Sequence, residues 1–137
     1  MTRTRVGIVV DKNFGARLAH LARVIHVWTV ESPVNTPLIR EFWRTETQFV
    51  DGEADDSGIT SFTANDEETP EQICVRIVGD VNEHHCGHFG EPPWTELHVF
   101  GTELTKTLRE AFEEFGATSF EPTRDGFICR REPSGTA

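Results

Sequence analysis

The chain of 137 residues contains little cysteine and no long apolar segment. Its three cysteines, Cys74, Cys86 and Cys129, are an odd number and too few for a small secreted fold held together by disulfides. The first apolar run, after residues 2–5, has five residues, which is too short for a signal-peptide core or a membrane span. These features predict a cytoplasmic protein with reduced thiols and no membrane partner.

Basic residues are also scarce. There are 13 Lys and Arg against 23 Asp and Glu, which gives a net charge of −10. Residues 1–40 hold six basic and two acidic side chains, whereas residues 41–71 hold one and ten. Because nucleic acids bind Lys and Arg that neutralise phosphates, this balance argues against a nucleic-acid partner. The acids are dense in 45–58, a predicted solvated loop, where they either dock a basic protein partner or only keep the chain soluble.

The motifs of nucleotide binding and of thiol catalysis are missing as well. Neither G-x-G-x-x-G nor G-x-x-x-x-G-K followed by Ser or Thr occurs in the chain. Cys86 falls near a predicted helix C-terminus, where the helix dipole disfavours a thiolate, and Cys74 and Cys129 lie within apolar patterns. We therefore predict no cofactor and no catalytic residue, although the sequence leaves open whether the protein is an enzyme.

What the chain does contain is an alternation of apolar strands and amphipathic helices. Strand–helix–strand connections of this length favour parallel strands with right-handed crossovers. The turn signal Asp125-Gly126 predicts a closing antiparallel β-hairpin, in which Pro122 marks an edge strand. We predict one α/β domain over residues 1–137, a three-layer α/β/α sandwich of flavodoxin-like or Rossmann-like type with a mainly parallel five- or six-stranded sheet. The parallel strands are predicted at 5–11, 24–30, 59–64 and 97–100.

Capping residues predict where the helices begin and end. Thr69-Pro70-Glu71-Gln72 matches a capping box, and its helix is expected to run to about Cys86, with Gly87 as the C-terminal glycine. Its apolar residues Ile73, Ile77 and Val81 are predicted to form one buried stripe. The next helix is predicted to begin after Thr102 and to end at Gly116. Two earlier helices are expected after Asn13 and at Pro37, the second of them packing through Leu38, Ile39, Phe42 and Trp43.

Residues 82–94, NEHHCGHFGEPPW, raise the question of a metal site. His84 and His88 have the i, i+4 spacing that puts two ligands on one helix face, and His85, Cys86 and His98 are the other candidates. A predicted helix end at Gly87 would separate the two histidines, and four tetrahedral ligands are not identifiable. A helix C-terminus, whose free carbonyls favour imidazolium, is the preferred explanation of His84 and His85. No metal is therefore predicted.

The loop after the first predicted strand is the candidate ligand site. In parallel sheets, ligands bind beyond the carboxyl ends of the strands, where the strand order reverses. Lys12 and the helix N-terminus at Asn13 would suit a small anionic ligand such as a phosphate, and Asp11 could hold a cation or accept a proton. A helix cap and a solvated strand end explain the same residues, so both interpretations are open.

These observations favour a small binding or interaction module with an acidic surface. One alternative is a small-molecule or phosphate-ligand protein, either a binding protein or an enzyme, that uses Asp11, Lys12 and Asn13. Another is a metal-binding protein that uses the segment from His84 to His88. A homodimer formed through the edge of the hairpin is also open.

Overall fold

A computed structural model describes the protein at residues 5–11, 21, 24, 26–30, 37–41, 59–90, 92 and 94–132, with the backbone alone at 85–89. In this part of the chain six strands form a mixed sheet, and three helices accompany it. The elements are β1 (Arg5–Val9), β2 (His26–Val30), α1 (helical at 37–41), β3 (Ile59–Phe62), α2 (Pro70–Phe89), β4 (Glu96–Phe100), α3 (Lys106–Glu114), β5 (Ser119–Pro122) and β6 (Gly126–Arg130).

The strands lie in the order β3-β2-β1-β4-β6-β5. The first four in this order are parallel, as predicted. β6 runs antiparallel to both β4 and β5, so the chain closes with the predicted hairpin and β5 forms an edge of the sheet. The α/β class and the pairing of the strands are therefore confirmed. The mixed strand order does not by itself assign the fold to the flavodoxin-like or the Rossmann-like type.

One face of the sheet packs against α2 and α3. Side chains alternate across a strand, so Ile8 and Trp28, which pair in the register of β1 and β2, point to the same side. Phe112 of α3 meets Phe127 of β6 edge to face, with ring centroids 5.4 Å apart. The stripe predicted from periodicity is confirmed, because the residues that α2 buries here include Ile73, Ile77 and Val81.

The opposite face buries a second, smaller cluster. It joins Val9, Val27 and Phe100 of the strands to Leu21, Val24 and Ile39 from the connecting segments. Ile39 of α1 is fully buried, whereas Leu38 is 39% exposed, so the prediction that Leu38 packs inward was wrong. Adjacent residues of a helix point in different directions around its axis, and only Ile39 of this pair faces the sheet. The predicted contacts of Phe42 and Trp43, and the predicted cap at Asn13, lie outside the described residues.

α2 begins as predicted and ends later. The backbone N–H of Gln72 donates to Thr69 Oγ1 at 3.2 Å, and the N–H of Thr69 donates to Gln72 Oε1 at 2.9 Å, which is the reciprocal bonding of a capping box. The helix runs through Gly87 to Phe89, and Gly90 adopts the left-handed conformation at φ 85°. The predicted C-cap at Gly87 was therefore wrong, because Gly90 supplies the left-handed residue three positions later.

α3 also begins later than predicted. Thr105 is its N-cap and accepts a hydrogen bond from the N–H of Leu108 at 3.2 Å, so the prediction of Thr102 was wrong. Gly116 follows the helix at φ 102°, which confirms the predicted glycine at its C-terminus. None of the helices in the described ranges is both long enough and apolar enough to cross a lipid bilayer.

The hairpin turn lies one residue before its predicted position. The N–H of Thr123 donates to the carbonyl of Gly126 at 2.9 Å, so Arg124 and Asp125 form the tip, and Gly126 is the first residue of β6. A side chain at Gly126 would place its Cβ 2.0 Å from the carbonyl oxygen of Val99. This glycine therefore allows β6 to approach β4 rather than forming the turn.

Candidate functional site

A cavity of about 420 Å³ lies between the β2–β3 edge of the sheet and α2. Its size falls in the range of small-molecule pockets, which is roughly 300 to 1,000 Å³. The sequence patterns did not predict it, because the cavity forms only where a helix distant in sequence crosses two strands. The described residues that line it are His26, Trp28, Thr60, Phe62, Asp80, Val81 and His84.

The sheet side of the cavity is built by alternate residues of two parallel strands. His26 and Trp28 of β2 lie on one face, and Thr60 pairs with Trp28 in the register of β3. His26 Nε2 lies 3.0 Å from Thr60 Oγ1, a hydrogen-bond distance, and its ring packs against that of Trp28 with centroids 5.2 Å apart. Phe62 continues the wall. The strand sequence HVWTV does not alternate polar with apolar residues, and only His26 in it is not buried, so it has no periodic signal for this open face.

The helix side comes from three residues within about one turn of α2. Val81 is buried and forms part of the core, whereas Asp80 and His84, four residues apart, are both exposed. The two polar side chains therefore border the opening while Trp28, 4% exposed, forms part of the inner wall. The arrangement combines an aromatic and aliphatic interior with polar groups at the rim, which is typical of a small-molecule site.

The histidine-rich segment now has a helical backbone throughout. Because α2 continues to Phe89, residues 84 and 88 are one turn apart in the same helix, and the separation expected at Gly87 is not present. Only His84 has a described side chain among His84, His85, Cys86 and His88. Among the side chains that are described, no group of three His, Cys, Asp or Glu residues could hold a metal ion. The cavity therefore offers hydrogen-bonding imidazoles but no described metal centre.

Asp11 lies at the reversal of strand order, where parallel sheets bind ligands. β1 pairs with β2 on one side and with β4 on the other, and the N–H of Val10 donates to the carbonyl of Phe100 at 3.1 Å. A Cβ at Gly101 would lie 2.5 Å from that of Asp11, and the Gly101 N–H donates to the carbonyl of Asp125. The two strand ends are thus in close contact. Lys12 and Asn13, the other predicted ligand residues, lie outside the described residues, as does the acidic loop 45–58.

A second cluster of titratable groups surrounds Glu96 on the sheet face opposite α2. Glu96 is 8% exposed, and its Oε1 accepts a hydrogen bond from His98 Nε2 at 2.8 Å. Arg5 Nε lies 3.5 Å from Oε1 and Arg130 Nε 3.6 Å from Oε2. Arg130 also donates to Glu121 at 2.8 Å. The cluster satisfies a nearly buried carboxylate with three basic groups, which is what burial of a charge requires.

Burial decides the ionisation of this cluster and of the thiols. Burial lowers the pKa of His98, a shift that the hydrogen bond and charge of Glu96 oppose and that the charges of Arg5 and Arg130 reinforce. Burial raises the pKa of the Cys74 and Cys129 thiols well above the ordinary range. These two cysteines are therefore protonated and unreactive as nucleophiles.

The fold and the cavity define an α/β protein with a candidate small-molecule pocket beside the edge strand β3. Comparison with known proteins matches the chain to no protein-family model, no curated protein and no solved structure.

Proposed function

We propose that this protein is a small binding module whose ligand is a small molecule held between β2, β3 and α2. The observation that carries the proposal is the cavity of about 420 Å³, in which an aromatic wall and polar rim groups converge. His26 and Thr60, hydrogen-bonded to each other at 3.0 Å, supply polar atoms beside the ring of Trp28. An apolar interior provides binding free energy by burial, and a few fixed polar groups provide orientation.

Binding rather than catalysis is supported by the state of the reactive side chains. The Cys74 and Cys129 thiols are buried and their pKa is raised, which disfavours a nucleophilic thiolate. The Glu96–His98 pair is enclosed between Arg5 and Arg130, so its carboxylate is already engaged in ion pairs. Reduced thiols also suit the cytoplasm, where we propose that the protein acts.

We further propose that the fold is a three-layer α/β/α sandwich of flavodoxin-like or Rossmann-like type. The four parallel strands in the order β3-β2-β1-β4 and the apolar residues buried on both faces of the sheet support this assignment. In such folds, ligands bind at the strand-order reversal. Asp11, which follows β1 at that point, therefore carries the second candidate function, a small-molecule or phosphate-ligand site with Lys12 and Asn13.

Filling the cavity tests the main proposal. Thr60→Trp introduces an indole on an exposed position that lines the cavity, and Ser61→Trp introduces the same group on the exposed neighbour that points to the other side of β3. Equilibrium dialysis against a small-molecule extract, read by mass spectrometry, should enrich a compound on the wild-type and Ser61→Trp proteins but not on Thr60→Trp. Enrichment that survives Thr60→Trp and is lost in Asp11→Asn would favour the second candidate. Equal enrichment on all variants would contradict both.

A further inference from the structure

The charge of the cavity wall restricts what the site can bind. Among the described residues that line it, Asp80 is the one carboxylate, and none is Lys or Arg. No described group forms an ion pair or hydrogen bond with the Asp80 carboxylate. A ligand in the cavity therefore meets one carboxylate that no described Lys or Arg pairs with. An anion at this position would be repelled, and a cation would be attracted.

The helix around Asp80 extends the same negative field. From Ile77 to Gly90 the sequence contains two acids, Asp80 and Glu83, and no Lys or Arg. The basic residue before this stretch is Arg76, which donates to Glu68 at 2.9 Å and is not among the described residues that line the cavity. The net charge of −10 adds a long-range term of the same sign.

The remaining wall suits a cation with an apolar body better than a bare metal ion. Trp28 and Phe62 bring two aromatic rings to the cavity, and Val81 adds an aliphatic side chain. Aromatic rings attract organic cations through their quadrupole while also burying apolar groups. A metal ion would need three or more ligand atoms, and the described side chains contain no group of three metal-ligating residues that could hold one.

We propose that the cavity binds a small organic cation, an ammonium group carried on an apolar body, with Asp80 as its counter-charge and Trp28 and Phe62 as its apolar contacts. This inference rests on the proposed small-molecule site and specifies the chemical class of its ligand. It also makes the site selective by charge, because shape and apolar contact alone would accept a neutral or anionic molecule of the same size.

Three probes of similar shape test the charge selectivity. Benzylammonium, benzyl alcohol and benzoate share a phenyl ring and differ in charge, and each is titrated at millimolar concentration into the ¹⁵N-labelled protein at neutral pH. Binding is read from the shifts of the Trp28 indole N–H and of the backbone amides of residues 60–62 and 80–84. Benzylammonium should bind more tightly than benzyl alcohol, and benzoate should bind most weakly.

The variant Asp80→Asn removes the proposed counter-charge, and Glu83→Gln removes a charge from the same helix outside the lining of the cavity. Asp80→Asn should weaken benzylammonium binding about fivefold, the effect of roughly 1 kcal/mol from an exposed ion pair, and leave benzyl alcohol unchanged. Glu83→Gln should have little effect on either probe. If benzyl alcohol or benzoate binds at these residues as tightly as benzylammonium, the charge assignment is overturned while the proposed small-molecule site stands. If no probe shifts these residues, the inference and the site fail together.

Discussion

Glu96 is a nearly buried carboxylate whose neighbours come from three strands. Its partners are Arg5 of β1, His98 of its own strand β4, and Arg130 of β6. His98 Nε2 lies 2.8 Å from Oε1 of Glu96, and Arg130 Nε lies 3.6 Å from Oε2. A buried carboxylate is tolerated only when charge and hydrogen bonds replace the water it has lost. Arg5 Nε is itself buried and makes no hydrogen bond to any described group, so the nearby Glu96 charge is what compensates its burial.

Replacing Glu96 by Gln should destabilise the protein by about 3 kcal/mol, because the variant leaves the buried Nε atom of Arg5 without its counter-charge. Urea unfolding at neutral pH measures the change. Glu121→Gln is the matched control, since Glu121 also pairs with Arg130 but its side chain is 56% exposed. That variant should lose less than about 1 kcal/mol. Equal losses in the two variants would show that burial of Glu96 carries no special cost.

The start of a helix in this protein depends on which of several possible N-cap residues accepts the hydrogen bond from the first turn. Both Thr102 and Thr105 precede α3 and both can accept a hydrogen bond from a backbone N–H. The structure uses Thr105, whose Oγ1 accepts from Leu108, whereas the Thr102 hydroxyl donates to the carbonyl of Glu103 at 3.3 Å. α3 therefore begins at Lys106, and it buries Leu108 and Phe112.

The two threonines give a direct comparison. Thr105→Ala should reduce the free energy of unfolding by about 1 kcal/mol, because it removes the acceptor for the N–H of Leu108. Thr102→Ala should change it by less than about 0.5 kcal/mol, the usual effect of a surface substitution. Thermal or urea unfolding of both variants measures the difference. A larger loss for Thr102→Ala would place the start of α3 where the sequence pattern predicted it.

The pH dependence of stability is a property of the whole molecule that His98 is expected to influence. Burial in the folded state lowers the pKa of His98 below its ordinary value of about 6.5, which the unfolded chain retains. As the pH falls through this value, the unfolded chain binds a proton that the folded protein resists, so the contribution of His98 to stability is lost on acidification. Above the ordinary value both states are neutral, and His98 contributes no slope.

Replacing His98 by Gln keeps a donor near Glu96 and removes the titration. The stability lost between about pH 8 and about pH 5 should therefore be smaller in His98→Gln than in the wild type. Urea unfolding at both pH values gives the two losses, and each protein serves as its own reference at the higher pH. A loss in the variant as large as in the wild type would mean that other groups account for the acid sensitivity.

The sequence by itself determined the elements whose patterns are local. The apolar runs that became β1 and β2, the helical stripe Ile73, Ile77 and Val81, and the capping box at Thr69 each follow from residues a few positions apart. Parallel pairing followed because strand–helix–strand connections allow few other arrangements. Predictions were wrong where two local signals competed, as at Gly87 and Gly90 or at Thr102 and Thr105.

Tertiary structure alone decided the sites. The cavity requires His26, Thr60 and His84, which are far apart in sequence and meet because β2, β3 and α2 pack together. The ion-pair cluster of Glu96 likewise depends on the order of strands, which places β1 and β6 on either side of β4. Spacing along the chain contains no signal for such contacts, since the register between strands and the crossing of a helix over them are set by the packing of the complete core.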